Sequence, residues 1–394
     1  MPAYTADYVF PISSDPIAHG VVEIDEAGTL VSVCGPDSYR GTATPERVEG
    51  VLIPGFVNAH CHLELSHLQG KSATGKTLLP FLVDVVTMRE VAQEEIDAAI
   101  ATQDRLMWER GIQAVGDICN KLDTAAVKRA SRIRYYNFVE MFDFLQPERA
   151  AASFEQYAPV YAGQPEPKSA VPHAPYTVST PLYARINALN QASETVSIHN
   201  QETLAEDQLF KTGDGPFLPF FAGFGANLRD FTPPGTPSIY HAMRHMDPAK
   251  RTLFVHNTLT TEAAIHDAEA WAENGVYWAT CPNANLYIEN RLPRYERFLN
   301  TGARVCIGTD SLTSNWQLDI LDEIRTITRY QSFIPFPTLL RWATLNGAEA
   351  LQFADELGSL EVGKRPGLLA LSGLEGDHPD NFVVGAGARV RRLR

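Results

Sequence analysis

Between residues 51 and 311 the chain passes eight times from a short apolar run to a stretch of helical texture. The apolar runs open with 51–70 and continue at 111–120, 133–142, 170–175, 195–202, 252–259, 276–283 and 304–311. Helical stretches such as 87–110, 180–191, 260–274 and 318–330 separate them. A strand buried on both faces shows as a continuous apolar run, and parallel neighbours need a crossover, usually a helix, between them. Eight such units in about 300 residues predict an α/β fold, a (β/α)8 barrel of the TIM type.

The flanks have a different texture. Residues 8–10, 20–24 and 29–33 are short β-prone runs divided by Pro, Gly and Asp turn residues. They are too few for a comfortable sheet of their own. Similar runs at 368–372, 382–384 and 389–390 offer partners from the other end of the chain. We therefore expect a small β-sandwich domain built from residues 1–52 and 357–394, flanking a barrel of residues 53–356.

Composition narrows the function classes. The chain has 394 residues, 44% of them apolar and 20% charged, which is an ordinary globular profile. A formal net charge of −14 argues against a nucleic-acid partner, because phosphate binding wants a basic surface. The short basic cluster at 389–394 is expected to be a solvated tail. No apolar run has the length of a membrane span, and the amino-terminal residues lack the basic start and apolar core of a signal peptide. Five cysteines without paired spacing suggest a reducing compartment, so the cytoplasm is the expected location. The outer helices of a barrel can support a homodimer, and the partner expected at the site is a small-molecule substrate.

In this fold the active site lies at the carboxyl ends of the strands. The titratable residues at those ends are His60 and His62, His173, His199 with Glu202, His256 and Asp310. On an extended strand, residues two apart share a face, so His60 and His62 can converge. With His199 and Asp310 they make three imidazoles and a carboxylate, a donor set suited to one divalent ion, Zn²⁺ first and Fe²⁺ second. Such an ion lowers the pKa of bound water. Asp310, in GTDS, could instead cap a helix.

Glu202, three residues beyond His199, can carry a proton from water to a leaving nitrogen; the alternative is a carboxylate opening the next helix. His256 can orient the water or stabilise developing charge, or be a hydrogen-bonded core histidine. Lys168 sits at the wrong end of its strand to bridge two metals, which favours one metal and leaves His173 facing substrate. Glu64 can accept substrate hydroxyls or ring nitrogens, or be a solvated loop carboxylate. The loop 216–240, rich in Gly, Pro and Phe, is a lid, a substrate wall or a filler.

The motifs PGFVNAHCH, PHAPYTVS, IHNQET, FVHN, CPNAN and GTDSLTSN, followed by LDILDEIR, resemble the amidohydrolase superfamily in its cytosine/adenosine-deaminase-like branch. The resemblance covers nearly the whole chain. It implies a mononuclear metal on His60, His62, His199 and Asp310, with Glu202 as proton shuttle and His256 polarising the water. The implied reaction is hydrolytic deamination. HCHLELS with PHAPYTVS resembles deaminases of adenosine-type nucleosides, including aminodeoxyfutalosine deaminases, and maps substrate contacts to Glu64 and His173. A free purine base or pterin such as guanine is the nearest alternative substrate, and hydrolysis of a cyclic amide is the nearest alternative reaction. Where relatives often carry GKxAD, this chain has Gly363-Lys364-Arg365-Pro366-Gly367, a departure away from the barrel rim.

Overall fold

The structure, a computed structural model, describes residues 1–191, 194–228 and 231–394. Its centre is α/β. Eight strands carry it: β1 (Phe56–Cys61), β2 (Ile112–Cys119), β3 (Arg134–Met141), β4 (Lys168–Pro172), β5 (Thr195–Asn200), β6 (Arg251–His256), β7 (Val276–Thr280) and β8 (Val305–Ile307). Their regular ladders form two parallel four-stranded sheets, β1 to β4 and β5 to β8, each in chain order. Most of these residues are fully buried, which is why the strands read as unbroken apolar runs rather than alternating ones.

At both junctions between the sheets only isolated main-chain bonds pass. His199 N donates to His173 O at 3.0 Å, while Thr309 N and Asp310 N donate to His60 O at 2.9 and 3.0 Å. The run expected at 304–311 is regular only over Val305–Ile307, because Asp310 takes a left-handed φ of 57° and turns the chain inward. Gly308 permits the second junction: a Cβ there would lie 2.8 Å from His60 Cβ and 2.9 Å from His60 O.

The helix Gln93–Glu109 shows how the outer layer forms. Its buried Ile96, Ile100, Gln103 and Met107 recur every three or four residues, and Glu94 and Glu95 favour its first turn. It ends at Gly111, whose φ of 92° a side chain would resist. The helix expected over 87–110 begins instead at Gln93, and a separate helix that was not expected, Leu78–Met88, precedes it. The break falls where the Arg89 side chain turns into the cavity and its carbonyl accepts a hydrogen bond from His67 Nε2 at 2.9 Å.

Both chain ends build two further sheets. One runs in the order Leu30–Cys34, Val21–Ile24, Ala3–Thr5, Glu46–Arg47. The other runs Arg389–Arg392, Leu368–Ser372, Val51–Pro54, Tyr8–Val9, Ile17–Ala18. Tyr4, Val22 and Leu30 of the first share an apolar cluster with Val9, Leu52 and Leu368 of the second. The basic terminus is therefore no solvated tail. Arg389–Arg392 pairs with Leu368–Ser372, and the Arg392 guanidinium sits 3.6 Å over the Trp108 ring. Residues 382–384 contribute only an isolated bridge, Glu375 to Val383. In the loop 216–240 a short helix, Phe217–Gly223, buries Phe217 and Phe221; Arg229 and Asp230 lie outside the described residues.

Candidate active site

The strand ends bring all seven of the singled-out strand-end residues to one place. His60 is wholly buried within β1, and His62 lies one residue past it. His62 Nε2 is 3.3 Å from both Asp310 Oδ1 and His199 Nε2, and His60 Nε2 is 3.5 Å from Asp310 Oδ1. His60, His199, His256 and Asp310 also form a group whose donor atoms all lie within 4.8 Å of one another. Ligands held about 2.0–2.1 Å from a tetrahedral ion are about 3.3–3.4 Å apart. The observed separations match that spacing.

Two further observations fit a metal. Neither ring nitrogen of His60 has a hydrogen-bond partner among the described residues, although both are buried. A buried polar atom without a partner calls for a ligand. His199 Nδ1 donates to His173 O at 2.7 Å, which fixes the tautomer and leaves the Nε2 lone pair facing the cluster.

The electrostatics agree. Burial pushes His62 down to about 3 and His256 to about 4, and holds His199 well below its usual range. Burial alone would raise Asp310, but the neighbouring histidines hold it well below the ordinary carboxylate range. Neutral imidazoles beside an ionised carboxylate are the state a metal binds. Asp310 Oδ2 also accepts a hydrogen bond from Ser314 Oγ at 2.7 Å.

His256 differs from the other three. Asn285 Nδ2 donates to its Nδ1 at 3.2 Å, so the proton rides on Nε2, 3.7 Å from a Glu202 carboxylate oxygen. Carrying that proton, Nε2 is a donor toward Glu202 and the cavity rather than a ligand. Both His256 and its neighbour Asn257 hold left-handed φ angles, 72° and 59°. Strain of this kind collects at working sites.

Glu202 is held by its backbone. The Glu206 carboxylate accepts hydrogen bonds from Gln201 N and Glu202 N at 3.0 and 3.1 Å, and Thr258 Oγ1 donates to Glu202 O at 2.7 Å. The Glu202 carboxyl is thereby aimed at the cavity. Burial, then the charges of Asp310 and Glu206, raise its pKa well above the ordinary value.

The cavity beyond has one polar wall and one aromatic wall. Phe81, Phe142, Phe144, Tyr176, Phe220 and Phe224 line the aromatic side, so the loop 216–240 contributes to the cavity wall. On the polar side stand Glu64, Arg89, Asn120, Glu140 and His173. Glu64 lies there as the sequence suggested, yet both its oxygens are engaged. Oε1 pairs with Arg89, and Oε2 accepts from Asn120 N and Lys121 N at 3.1 and 3.2 Å. His173 Nδ1 meets Thr177 Oγ1 at 2.8 Å, which turns Nε2 toward the cavity, and burial lowers its pKa to about 4.

Several residues of this site were not singled out from the sequence, among them Arg89, Asn120 and Glu206 as well as Asn285, Ser314 and Glu140. Asn285 was visible in CPNAN and Ser314 in GTDSLTSN, but neither motif names a partner. Glu140 left no signal, being one carboxylate inside an apolar run, VEMF; burial pushes it up to about 7.

Comparison with known proteins adds to this geometry. The model of the Amidohydrolase family matches residues 51–390. The chain is 27% identical over 329 residues to the adenosine deaminase of Helicobacter pylori, covering 81% of this chain and 78% of that one. It superposes on the crystal structure of Helicobacter pylori aminofutalosine deaminase, in complex with methylthio-coformycin, with a TM-score of 0.77; that match covers 96% of this chain and 94% of the other at 22% identity. An adenosine deaminase structure from Xanthomonas campestris with bound zinc matches at 26% identity and a TM-score of 0.67, covering 94% of this chain and 84% of the other.

Proposed function

The chain belongs to the amidohydrolase family, and from that membership we propose that it is a metal-dependent hydrolytic deaminase of an adenosine-type nucleoside, aminodeoxyfutalosine among the candidates. It acts as a hydrolase on a C–N bond outside peptides, in a cyclic amidine. The observation that carries this reading is the convergence of His60, His62, His199 and Asp310 with the Glu202 carboxyl beside them.

His60, His62, His199 and Asp310 would hold one ion. Three imidazoles and a carboxylate suit Zn²⁺, which we assign, and Fe²⁺ fits the same donors. When bound, the metal supplies the Lewis acidity that lets water attack near neutral pH. Glu202 takes a proton from the attacking water and delivers it to the leaving nitrogen. Burial favours its protonated form, so it can hold the proton between the two transfers. His256, with its proton on Nε2, donates toward charge developing at the attacked carbon. Asp310, kept anionic and anchored by Ser314, accepts a hydrogen bond from the same water and orients it. The C–N bond breaks, ammonia leaves, and the ring carbon becomes a carbonyl. His173 faces the substrate from the end of β4.

The same reading takes the two parallel sheets as halves of one (β/α)8 barrel over residues 53–356. The main-chain bonds at both junctions support it. It takes the terminal sheets as a composite β-sandwich of residues 1–52 and 357–394, supported by their shared apolar cluster. Five free cysteines, four of them buried, suit a reducing cytoplasm. Among the described residues no helix is long and apolar enough to cross a membrane.

An ammonia assay on zinc-loaded protein tests the activity. Adenosine-type nucleosides, free purines, pterins including guanine's relatives, and cyclic amides are offered in parallel. Ammonia from the nucleosides, at higher kcat/KM than from free bases, is expected. Ammonia only from free bases, or ring opening of an amide without ammonia, would overturn the nucleoside assignment.

A further inference from the structure

Two buried carboxylates stand in the polar wall of the cavity, and their circumstances are opposite. Glu64 is saturated by Arg89, Asn120 N and Lys121 N. It fixes the loop after β2 and has no oxygen to spare. Glu140, on β3, uses only Oε1, which accepts from Asn120 Nδ2 at 3.2 Å. Its Oε2 is buried and has no hydrogen-bond partner among the described residues. A buried carboxylate oxygen in that condition needs a donor.

Glu140 Oε2 lies 4.0 Å from His173 Nε2 and 4.0 Å from His199 Nδ1. Those three side chains could be taken for a second metal site. That fails, because His199 Nδ1 already carries a proton donated to His173 O. What is left is an acceptor and an imidazole nitrogen 4.0 Å apart, close enough for one hydroxyl beside them to bond both. Their position says which part of a substrate they meet. His199 turns Nε2 to His62 in the metal cluster and Nδ1 to Glu140, so Glu140 stands at the edge of that ring turned away from the cluster. A ring whose reacting carbon is held between the cluster and Glu202 would present its sugar, not its amine, to Glu140.

We infer that Glu140 is the specificity-determining residue for the sugar: its Oε2 accepts a hydrogen bond from one ribose hydroxyl beside His173, while Glu64 acts as a loop clamp. This rests on the nucleoside-deaminase reading. It moves the expected substrate contact from Glu64, the carboxylate next to the metal motif, to one on the third strand. The neutral amide of a Glu140→Gln variant keeps the size of the side chain and can still accept from Asn120, but it presents an NH₂ donor where Oε2 stood.

The test is a cycle between protein and substrate. Initial rates of ammonia release are measured for adenosine, 2′-deoxyadenosine and 3′-deoxyadenosine with the zinc-loaded wild type and Glu140→Gln. Loss of a hydrogen bond to a charged group corresponds to about a 10- to 100-fold change. Wild type is expected to lose that much kcat/KM, chiefly through KM, on one of the two deoxynucleosides. Glu140→Gln is expected to lose as much on adenosine and almost nothing more on that deoxynucleoside, so the two losses do not add. Glu140→Asp, which keeps the charge but withdraws the oxygen, should repeat the pattern if the amide variant folds poorly. Equal losses of Glu140→Gln on all three nucleosides, or additive losses, would overturn the inference and leave the deaminase reading standing. No ammonia with wild type from any of the three, nor from 5′-substituted adenosine nucleosides such as aminodeoxyfutalosine, would overturn the nucleoside reading and this subsite with it.

Discussion

Four carboxylates around the cavity look alike in sequence and do different work. Asp310 is anionic among imidazoles, Glu202 is raised by burial, Glu64 has both oxygens hydrogen-bonded, and Glu140 has one oxygen without a partner among the described residues. The proposed metal ligands stood out in the sequence because His60 and His62 alternate along a strand and the others end strands. The division of labour among the acids did not, because it depends on which backbone amides fold against each one. Glu64, next to the HxH motif, lines the cavity as expected, but its bonds from Asn120 N and Lys121 N join segments that no local pattern connects. At this scale the account predicts that Glu202→Gln binds zinc as wild type does, since Glu202 is not among the ligands, while kcat falls by about 100- to 10,000-fold. Metal analysis and ammonia release on the same preparation check it. Wild-type turnover in that variant would remove Glu202 from the proton path.

The loops after the strands are held by buried carboxylates that accept main-chain donors. Asp117 Oδ1 takes Leu63 N at 2.8 Å, Asp143 Oδ1 takes Ser179 N at 2.9 Å, and Glu323 Oε2 takes Asn283 N at 2.8 Å, beside the Glu64 and Glu206 clamps. Asp117 is itself neutralised by Lys128, 2.6 Å away and equally buried. Rim loops carry polar backbone that the strands cannot pair, and these acids satisfy it inside the molecule. Periodicity finds the strands, because their burial is written in composition; it does not find clamps, which join distant segments. It also began the helix of Gln93–Glu109 too early, at 87, and left Leu78–Met88 unmarked, since nothing local marks the turn that sends Arg89 inward. At the β8–β1 junction we predict that Gly308→Ala, whose Cβ would press on His60, costs about 1–3 kcal/mol of stability. The displaced imidazole should weaken zinc binding by about 10- to 100-fold. Denaturant melts and a competitive zinc chelator read the two effects. Unchanged zinc affinity would mean that the junction does not position His60.

Across the whole molecule the ligands come from both parallel sheets. His60 lies in β1 and His62 just after it, at the edge of one, whereas His199 belongs to β5 and Asp310 follows β8, the two edges of the other. A metal held by these four ties the sheets together where their ladders are interrupted. We therefore predict that chelation lowers the thermal midpoint and that zinc restores it. Free zinc at about a thousand times its Kd contributes about 4 kcal/mol. A Glu202→Gln protein should respond to the same extent, and an Asp310→Asn protein much less, by scanning calorimetry. The terminal sheets were legible as runs of β-prone residues, but the role of Arg392 was not, because its partner Trp108 lies 284 residues away in the chain.

The central claim is that one metal on these four residues enables deamination of a nucleoside. Titrating metal-free protein with zinc while recording ammonia release from adenosine tests it most directly. The rate should climb from zero, level off at one ion per chain, and change no further. Turnover without metal, a plateau at two ions, or no ammonia at any zinc concentration would contradict it.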